Sequence, residues 1–181
     1  GLNGAGKSFL LQSICNFYAD NGKTSLYIPI KDLKKHGSYF LDSLEGLDLI
    51  CIDNIDLIAN DDDWELAFFN LINQCLLSGC RLIFCSHLNP SSIDFHLKDF
   101  ISRIKKIDHI EIFPLSPDKL AEALVFVSNL RSIKLGDKEI NYIMTHSKRN
   151  MSDLISVLNQ LDELSIQLKR KITIPLIKEV I

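Results

Sequence analysis

The chain has no excess of basic charge. Its 20 lysines and arginines are outnumbered by 23 aspartates and glutamates, a formal net charge of −3, so it lacks the electrostatic footprint of a nucleic-acid-binding surface. The one basic cluster, Lys169, Arg170 and Lys171, reads as a solvated face. No run of 18 apolar residues occurs and no secretory leader pattern is present, which excludes a membrane helix within this sequence and makes the cytoplasm the expected compartment. There is no C-x-x-C pair. The five cysteines, Cys15, Cys51, Cys75, Cys80 and Cys85, are odd in number and mostly lie among aliphatic residues. They read as buried apolar thiols of a reducing compartment, not as disulfides or zinc ligands. The five histidines lack metal-ligand spacing. Internal repeats and low-complexity segments are also missing. What remains is 181 residues with 46% hydrophobic and 24% charged composition, the balance of one globular domain, or of a core with a small appendage.

Against this plain background the first residues stand out. Gly1-Leu2-Asn3-Gly4-Ala5-Gly6-Lys7-Ser8 satisfies G-x-x-x-x-G-K-[ST] in full. Glycines let backbone N–H groups curl around a phosphate where side chains would collide. The helix that follows points its positive end at the same phosphates. Lys7 is expected to neutralise the β- and γ-phosphates and Ser8 to offer its hydroxyl to Mg²⁺. Gly1, Leu2, Asn3, Gly4, Ala5, Gly6, Lys7, Ser8 and Phe9 thus form the expected nucleotide-binding segment, for ADP or ATP with Mg²⁺. A loop of this kind normally follows a buried strand, and nothing precedes Gly1 here. The sequence is therefore expected to be a fragment that lacks its first strand.

Apolar residues at Leu10, Leu11, Ile14, Phe17 and Tyr18 predict an amphipathic helix over 7–20, stopped by Asn21-Gly22. The β-branched and aromatic stretch 24–30 predicts a strand ending at Pro29. Residues 31–46 are mixed, with one short helix expected around Tyr39 to Leu44. The run LDLICID (47–53) predicts a central parallel strand buried on both faces. Asp61, Asp62 and Asp63 open a helix that Ser78-Gly79 closes, and RLIFCS (81–86) predicts another buried strand. A short helix over 97–104 and a last strand at HIEIF (109–113) complete this part. After Pro114 the pattern becomes helical, with Ser116-Pro117-Asp118 as a helix start and segments near 117–130, 137–146, 150–169 and 175–181. The fold class is α/β, a parallel-sheet nucleotide-binding core over 1–114 followed by a small all-helical lid over 115–181.

Four positions carry chemistry beyond the loop. Asp53 ends an apolar strand, where an acid holds Mg²⁺ through water across from the phosphates, so Ser8 and Asp53 are the expected metal residues. Asn54 follows it, where ATPases of this type usually place a glutamate. Asparagine cannot accept a proton, so hydrolysis by this chain alone is expected to be slow or absent; Asp56 is the weak substitute. Ser86 or His87, at the end of the RLIFCS strand, is expected between the two phosphate elements, facing the γ-phosphate or the attacking water. Arg103, before the last expected strand, is placed to enter a neighbouring subunit's nucleotide site, where such a finger is worth about 10³–10⁵ in rate. Arg103, Asp53 and Ser86 form the expected catalytic set.

Together the phosphate loop, LDLICIDNID, CSHLNP, DFISRI and the helical lid resemble the AAA+ ATPase fold. LDLICIDNID followed by WELAFFNLIN, with LNQLDELSIQLKRKITIPLIKEVI, is similar to the Hda family, DnaA-homologous regulators of bacterial replication initiation. This resemblance implies an ADP-bound module that joins the DNA polymerase III sliding clamp through a short N-terminal peptide and promotes hydrolysis of DnaA-bound ATP. It places Arg103 at the arginine finger. It also implies no membrane and no sequence-specific DNA contact, because the family lacks the helix-turn-helix domain of DnaA, and it leaves a homodimer open. The clamp peptide would lie upstream of Gly1. In the lid, the family's phosphate-touching arginine aligns with Ser152, and Arg149 lies three residues earlier. The alternative is an ATPase fragment of a DnaA-type initiator or helicase loader, expected to turn over ATP itself. A small-metabolite kinase fits neither the lid nor Arg103.

Overall fold

The computed structural model describes the whole chain apart from Arg149 and the side chain of Pro90. In chain order the elements of the first part are α1 (Lys7–Asp20), β1 (Ser25–Pro29), α2 (Ile30–Leu33), β2 (Leu49–Asp53), α3 (Asp62–Ser78), β3 (Arg81–Phe84) and α4 (Lys98–Ile104). Short 3₁₀ turns fill the connections, including one at Tyr39–Leu41 where a short helix was expected. Helices α5 (Pro117–Leu130), α6 (Asp137–His146), α7 (Met151–Leu168) and α8 (Ile174–Lys178) follow. Residue contacts divide the chain into two compact units. One is Gly1–Asn3 with Lys7–Ile112, the other Gly4–Gly6 with Phe113–Ile181. The division falls two residues before the boundary drawn from Pro114 and groups the middle of the phosphate loop with the second unit.

The first unit is built on a three-stranded parallel sheet in the order β1-β2-β3. Its register pairs Tyr27 with Cys51, Pro29 with Asp53 and Ile52 with Phe84. Every residue of β2 is buried, as a central strand covered on both faces requires. Alternation along the strands sorts the two cores. Ile28, Ile50 and Ile52 face a core completed by Trp64, Phe68, Leu71, Ile72 and Phe100 from α3 and α4. Leu49, Cys51 and Cys85 face Leu11 and Cys15 of α1, with Tyr27 partly buried beside them. The buried stripe of α1 is narrower than its apolar spacing implied, since Leu10 and Phe17 are exposed.

Helix ends follow local chemistry. Asp61 caps α3 by accepting from the Trp64 N–H, and Gly79 closes the helix at φ 82°, a left-handed value only glycine adopts without cost. One expectation fails. Residues 109–113 form no strand, and Ile110 and Phe113 are 87% and 68% exposed. Among the described residues β3 pairs with β2 alone, and no neighbouring ladder reaches this segment. Alternation supplies a side-chain pattern, but a strand needs a partner for its N–H and C=O groups.

The second unit buries Leu120 and Leu124 of α5, Ile140 and Ile143 of α6, Leu154, Leu158 and Leu161 of α7, and Leu176 and Ile177 of α8 in one core. Asn150 caps α7, accepting from the Asp153 N–H at 2.9 Å while its amide donates to the Asp153 carboxylate at 2.6 Å. Pro117 and Pro175 occupy helix starts, where a missing N–H costs nothing. Ser116 precedes α5 as expected, but its side chain makes no capping bond. Among the described residues no helix is long and apolar enough to cross a membrane.

Candidate functional site

The loop begins tightly packed. The Gly1 nitrogen donates to the Ser86 carbonyl at 3.3 Å, and a Cβ at Gly1 would fall onto the Ile112 carbonyl oxygen, a backbone atom that cannot give way. Gly4 and Gly6 take φ of 76° and 86°, values a side chain would strain. Lys7, at the start of α1, is only 6% exposed. Its ammonium donates to Gly1 O at 2.7 Å and Leu2 O at 2.8 Å, and lies 3.1 Å from His87 Nδ1. Three protons meet three acceptors, so the buried charge is fully satisfied. Ser8 and Phe9 lie exposed on the first turn of α1. Leu2, Asn3 and Gly4 are exposed, and Ala5 is half-buried.

The assignment of Lys7 as donor decides the neighbouring contact. With Nδ1 of His87 acting as acceptor, Nε2 of the neutral ring carries the proton. The Asn54 carboxamide meets Nε2 at 2.8 Å, and its oxygen is therefore the atom that faces the ring, a half-turn of the amide. Asn54 sits in the left-handed region at φ 63°, ψ 46°, which asparagine tolerates far better than glutamate. Asp56 Oδ1 accepts from the His87 N–H at 3.1 Å. The Ile55 N–H donates to Cys85 O at 2.9 Å and the Cys85 N–H to Ile52 O at 2.8 Å. The turn after β2 is thereby clamped to the exit of β3. Ser86 is not part of the bridge. Its hydroxyl closes a local turn by accepting from the Leu88 N–H at 2.9 Å, so of the two candidates it is the His87 ring that spans Lys7 and Asn54.

Asp53, the last residue of β2, is 2% exposed. Its Oδ2 accepts from the Tyr27 hydroxyl at 2.8 Å, and its Oδ1 is buried without a partner among the described residues. Burial first, and then the Asp53 carboxylate, push the Tyr27 phenol up to about 12, with Ser8 and Gln12 side chains acting in the opposite sense. Tyr27, Ser8 and Asp53 thus meet on the α1 face of the sheet. Lys7 and Asp53 form no ion pair among the described residues. Nor do the described residues hold a group of three or more His, Cys, Asp or Glu side chains arranged to hold a metal ion. A buried carboxylate oxygen without a partner suits Mg²⁺, which takes one or two protein oxygens and keeps its waters.

Arg103 lies half-buried on α4, and its side chain forms no hydrogen bond or ion pair among the described residues. Its helix is anchored by a residue with no signal in the sequence. Glu65, on the first turn of α3, is 0% exposed. It accepts from the Asn60 and His96 N–H groups through Oε1, each at 3.1 Å, and from the Leu97 N–H through Oε2 at 2.7 Å. Leu97 is the N-cap position of α4, so Glu65 supplies from α3 the cap that α4 lacks. In the second unit, Ser152 is exposed on the first turn of α7, and Arg149 lies outside the described residues.

A parallel sheet flanked by α1 and α3, a phosphate loop leading into α1, and a separate helical unit define an AAA+ protein. Domain III of the Thermotoga maritima replication initiation protein DnaA superposes with a TM-score of 0.78 at 20% identity, over 100% of this chain and 82% of that one. AMPPCP-bound DnaA from Aquifex aeolicus gives 0.69 at 20% identity, over 91% of this chain and 54% of that one. The T. maritima RuvB Holliday junction branch migration motor gives 0.65 at 17%, over 99% and 58%. These likenesses define the fold. An uncharacterised Haemophilus influenzae protein is 31% identical over 100% of this chain and 79% of its own length, and the family model described as "Hda, lid domain" matches residues 117–181. The chain is an Hda-like, DnaA-homologous AAA+ protein of one family with the H. influenzae relative.

Proposed function

We propose that the α1 face of the sheet holds ADP or ATP with Mg²⁺, and that the module uses this nucleotide structurally while acting on the ATP of a DnaA partner. Lys7 supplies the positive charge for the β- and γ-phosphates, and the glycines of the loop supply N–H groups. Ser8 and the free Oδ1 of Asp53 are the residues that would hold Mg²⁺, which contributes charge neutralisation of the phosphates. The observation that carries the reading is the set of residues beside Asp53. Asn54 and His87 occupy each other, and Asp56 is committed to the His87 N–H, so with Asp53 assigned to Mg²⁺ neither Asn54 nor Asp56 stands ready to take a proton from water. A site that binds nucleotide without a base suits a regulator. Arg103, free of intramolecular partners among the described residues, then serves as the finger that stabilises charge on DnaA-bound ATP. Association with the sliding clamp, formation of a homodimer, residence in the cytoplasm and the core–lid boundary near residue 115 belong to the same proposal.

The test is Arg103→Ala in the full-length protein with clamp, DNA and ATP-loaded DnaA. ADP affinity is expected to be unchanged while stimulation of DnaA-bound ATP hydrolysis falls at least about 1,000-fold, the low end of the range for such fingers. Undiminished stimulation overturns the assignment of Arg103.

A further inference from the structure

The carboxylate of Asp53 has one oxygen engaged and one without a partner, and the engaging group is not a backbone N–H. It is the phenol of Tyr27, which reaches Asp53 from the neighbouring strand β1. Parallel register places Pro29, not Tyr27, opposite Asp53. The contact therefore runs along the sheet, made by a long side chain two residues short of its partner on the face shared with α1. The residue in direct register with Tyr27 is Cys51, a buried thiol that makes no competing bond to the phenol among the described residues. Ser8 and Gln12, on successive turns of α1, lie near enough to act on the same phenol. The Tyr27 hydroxyl thus bonds one of the two side chains assigned to Mg²⁺ under the proposed function, Asp53, with the other, Ser8, in its neighbourhood.

We propose that Tyr27 is a positioning residue for divalent-cation binding: by donating to Oδ2 it fixes the rotation of the Asp53 carboxylate and leaves Oδ1 as the oxygen offered to a Mg²⁺-bound water. A carboxylate on a strand end has two nearly equivalent oxygens and a soft terminal torsion. A single charge-assisted O–H···O⁻ bond removes that freedom. This inference rests on Asp53 acting toward Mg²⁺. It adds that the geometry of Asp53 is set from β1.

The experiment measures binding of fluorescent mant-ADP to the full-length protein, titrated with MgCl₂ and separately in EDTA, for wild type, Tyr27→Phe and Asp53→Asn. Tyr27→Phe removes one oxygen and keeps the ring in its packing. Partners that orient a metal's ligands are worth about 10–100-fold in metal affinity. The Mg²⁺ concentration for half-maximal enhancement of binding is therefore expected to rise by about that factor, while affinity in EDTA stays within about twofold. In the Asp53→Asn background, Tyr27→Phe is expected to add no further loss. A Mg²⁺ midpoint unchanged in Tyr27→Phe but lost in Asp53→Asn overturns the role of Tyr27 and leaves Asp53 standing. An equal loss with and without Mg²⁺ shows Tyr27 to be packing only and overturns it as well. An Asp53→Asn protein that keeps its Mg²⁺ response overturns the reading of Asp53 itself. Should Tyr27→Phe fail to fold, fluorotyrosine at position 27 of the otherwise wild-type protein keeps the test. Its fluorine resonance is expected to shift when MgCl₂ is added to the ADP complex, and an unmoved resonance overturns the proposal.

Discussion

Replacing Glu65 with glutamine changes one atom and tests how α4 is held. The carboxylate is 0% exposed and pairs with no cation among the described residues. Three backbone N–H groups, of Asn60, His96 and Leu97, stand in for one. In Glu65→Gln the amide oxygen can replace Oε1 and keep the bonds from Asn60 and His96, now without the charge that strengthens them. The amide nitrogen then faces the Leu97 N–H, donor against donor, at a position where the native contact is 2.7 Å. A hydrogen bond to a charged group is worth about 1.5–3 kcal/mol, and a buried N–H left without an acceptor costs about 1–3 kcal/mol. Allowing for relaxation, the expected loss is about 2–4 kcal/mol. Trp64, the only tryptophan, is 4% exposed beside Glu65 and belongs to the first unit, so its fluorescence follows the unfolding of that unit alone. With a urea m-value near 2 kcal/mol per molar, the midpoint should fall by about 1–2 M. Amide exchange should show His96, Leu97 and the first turn of α4 losing protection more than β2 does. A midpoint within about 0.3 M of wild type refutes the reasoning. So does a large loss with the Leu97 amide still protected, because the cost would then arise somewhere other than the cap.

Two further outcomes follow from the same geometry. Asn54 holds φ 63°, where a Cβ costs about 1–2 kcal/mol unless the side chain bonds locally; Asn54→Gly should therefore be close to neutral in urea unfolding and Asn54→Ala should lose about 1 kcal/mol, with equal losses counting against a backbone origin. The five thiols are buried, and desolvation pushes Cys85 up to about 11 and Cys75 up to about 12; a folded state that retains protons the unfolded chain releases near 9 loses stability as pH rises from about 9 through those values, and at pH 8 a disulfide reagent should find no fast thiol in the native protein but five in guanidinium, so one rapid native reaction contradicts the burial.

Much of this was legible because the signals are local. The helix from Lys7, the cap and stop of α3 at Asp61 and Gly79, and the helices of the second unit are written in spacing and end chemistry. The all-buried β2 is a run of apolar residues ending in an acid. Local signals also mark their own limit. HIEIF alternates like a strand, yet strand formation depends on a partner that no five-residue window contains. Leu10 and Phe17 fit a helical stripe whose true width depends on what covers α1. Glu65, Tyr27 and the His87 bridge were hidden for a different reason, since each acts through bonds to residues about 25–80 positions away. Tyr27 looked like an ordinary strand aromatic until the register placed it near Asp53. Ser86 and His87 were indistinguishable in sequence, and the structure separates them by what each side chain touches.

The two chemical ends of the first unit are joined by one short segment. Asp53 begins it on the α1 side of the sheet, and Glu65 ends it against the start of α4, the helix that carries Arg103. Between them, Asn54 and Asp56 are tied to His87, the Ile55 N–H to Cys85 O, and Asn60 to Glu65 itself. Ile55 and Ile58 are buried in the core, so the segment cannot slide along the sheet without opening apolar contacts on one side and polar contacts on the other. A displacement of His87 by a ligand on Lys7 would therefore be felt at Asn54 and Asp56 first. It would reach α4 only to the extent that the Asn60–Glu65 contact moves with them. Glu65→Gln, which loosens the α4 end while leaving Asp53, Asn54 and His87 in place, separates these two: nucleotide affinity should persist while the placement of Arg103 is lost. Parallel loss of both would mean that the segment behaves as one rigid body and that the nucleotide and the arginine are held by the same contacts.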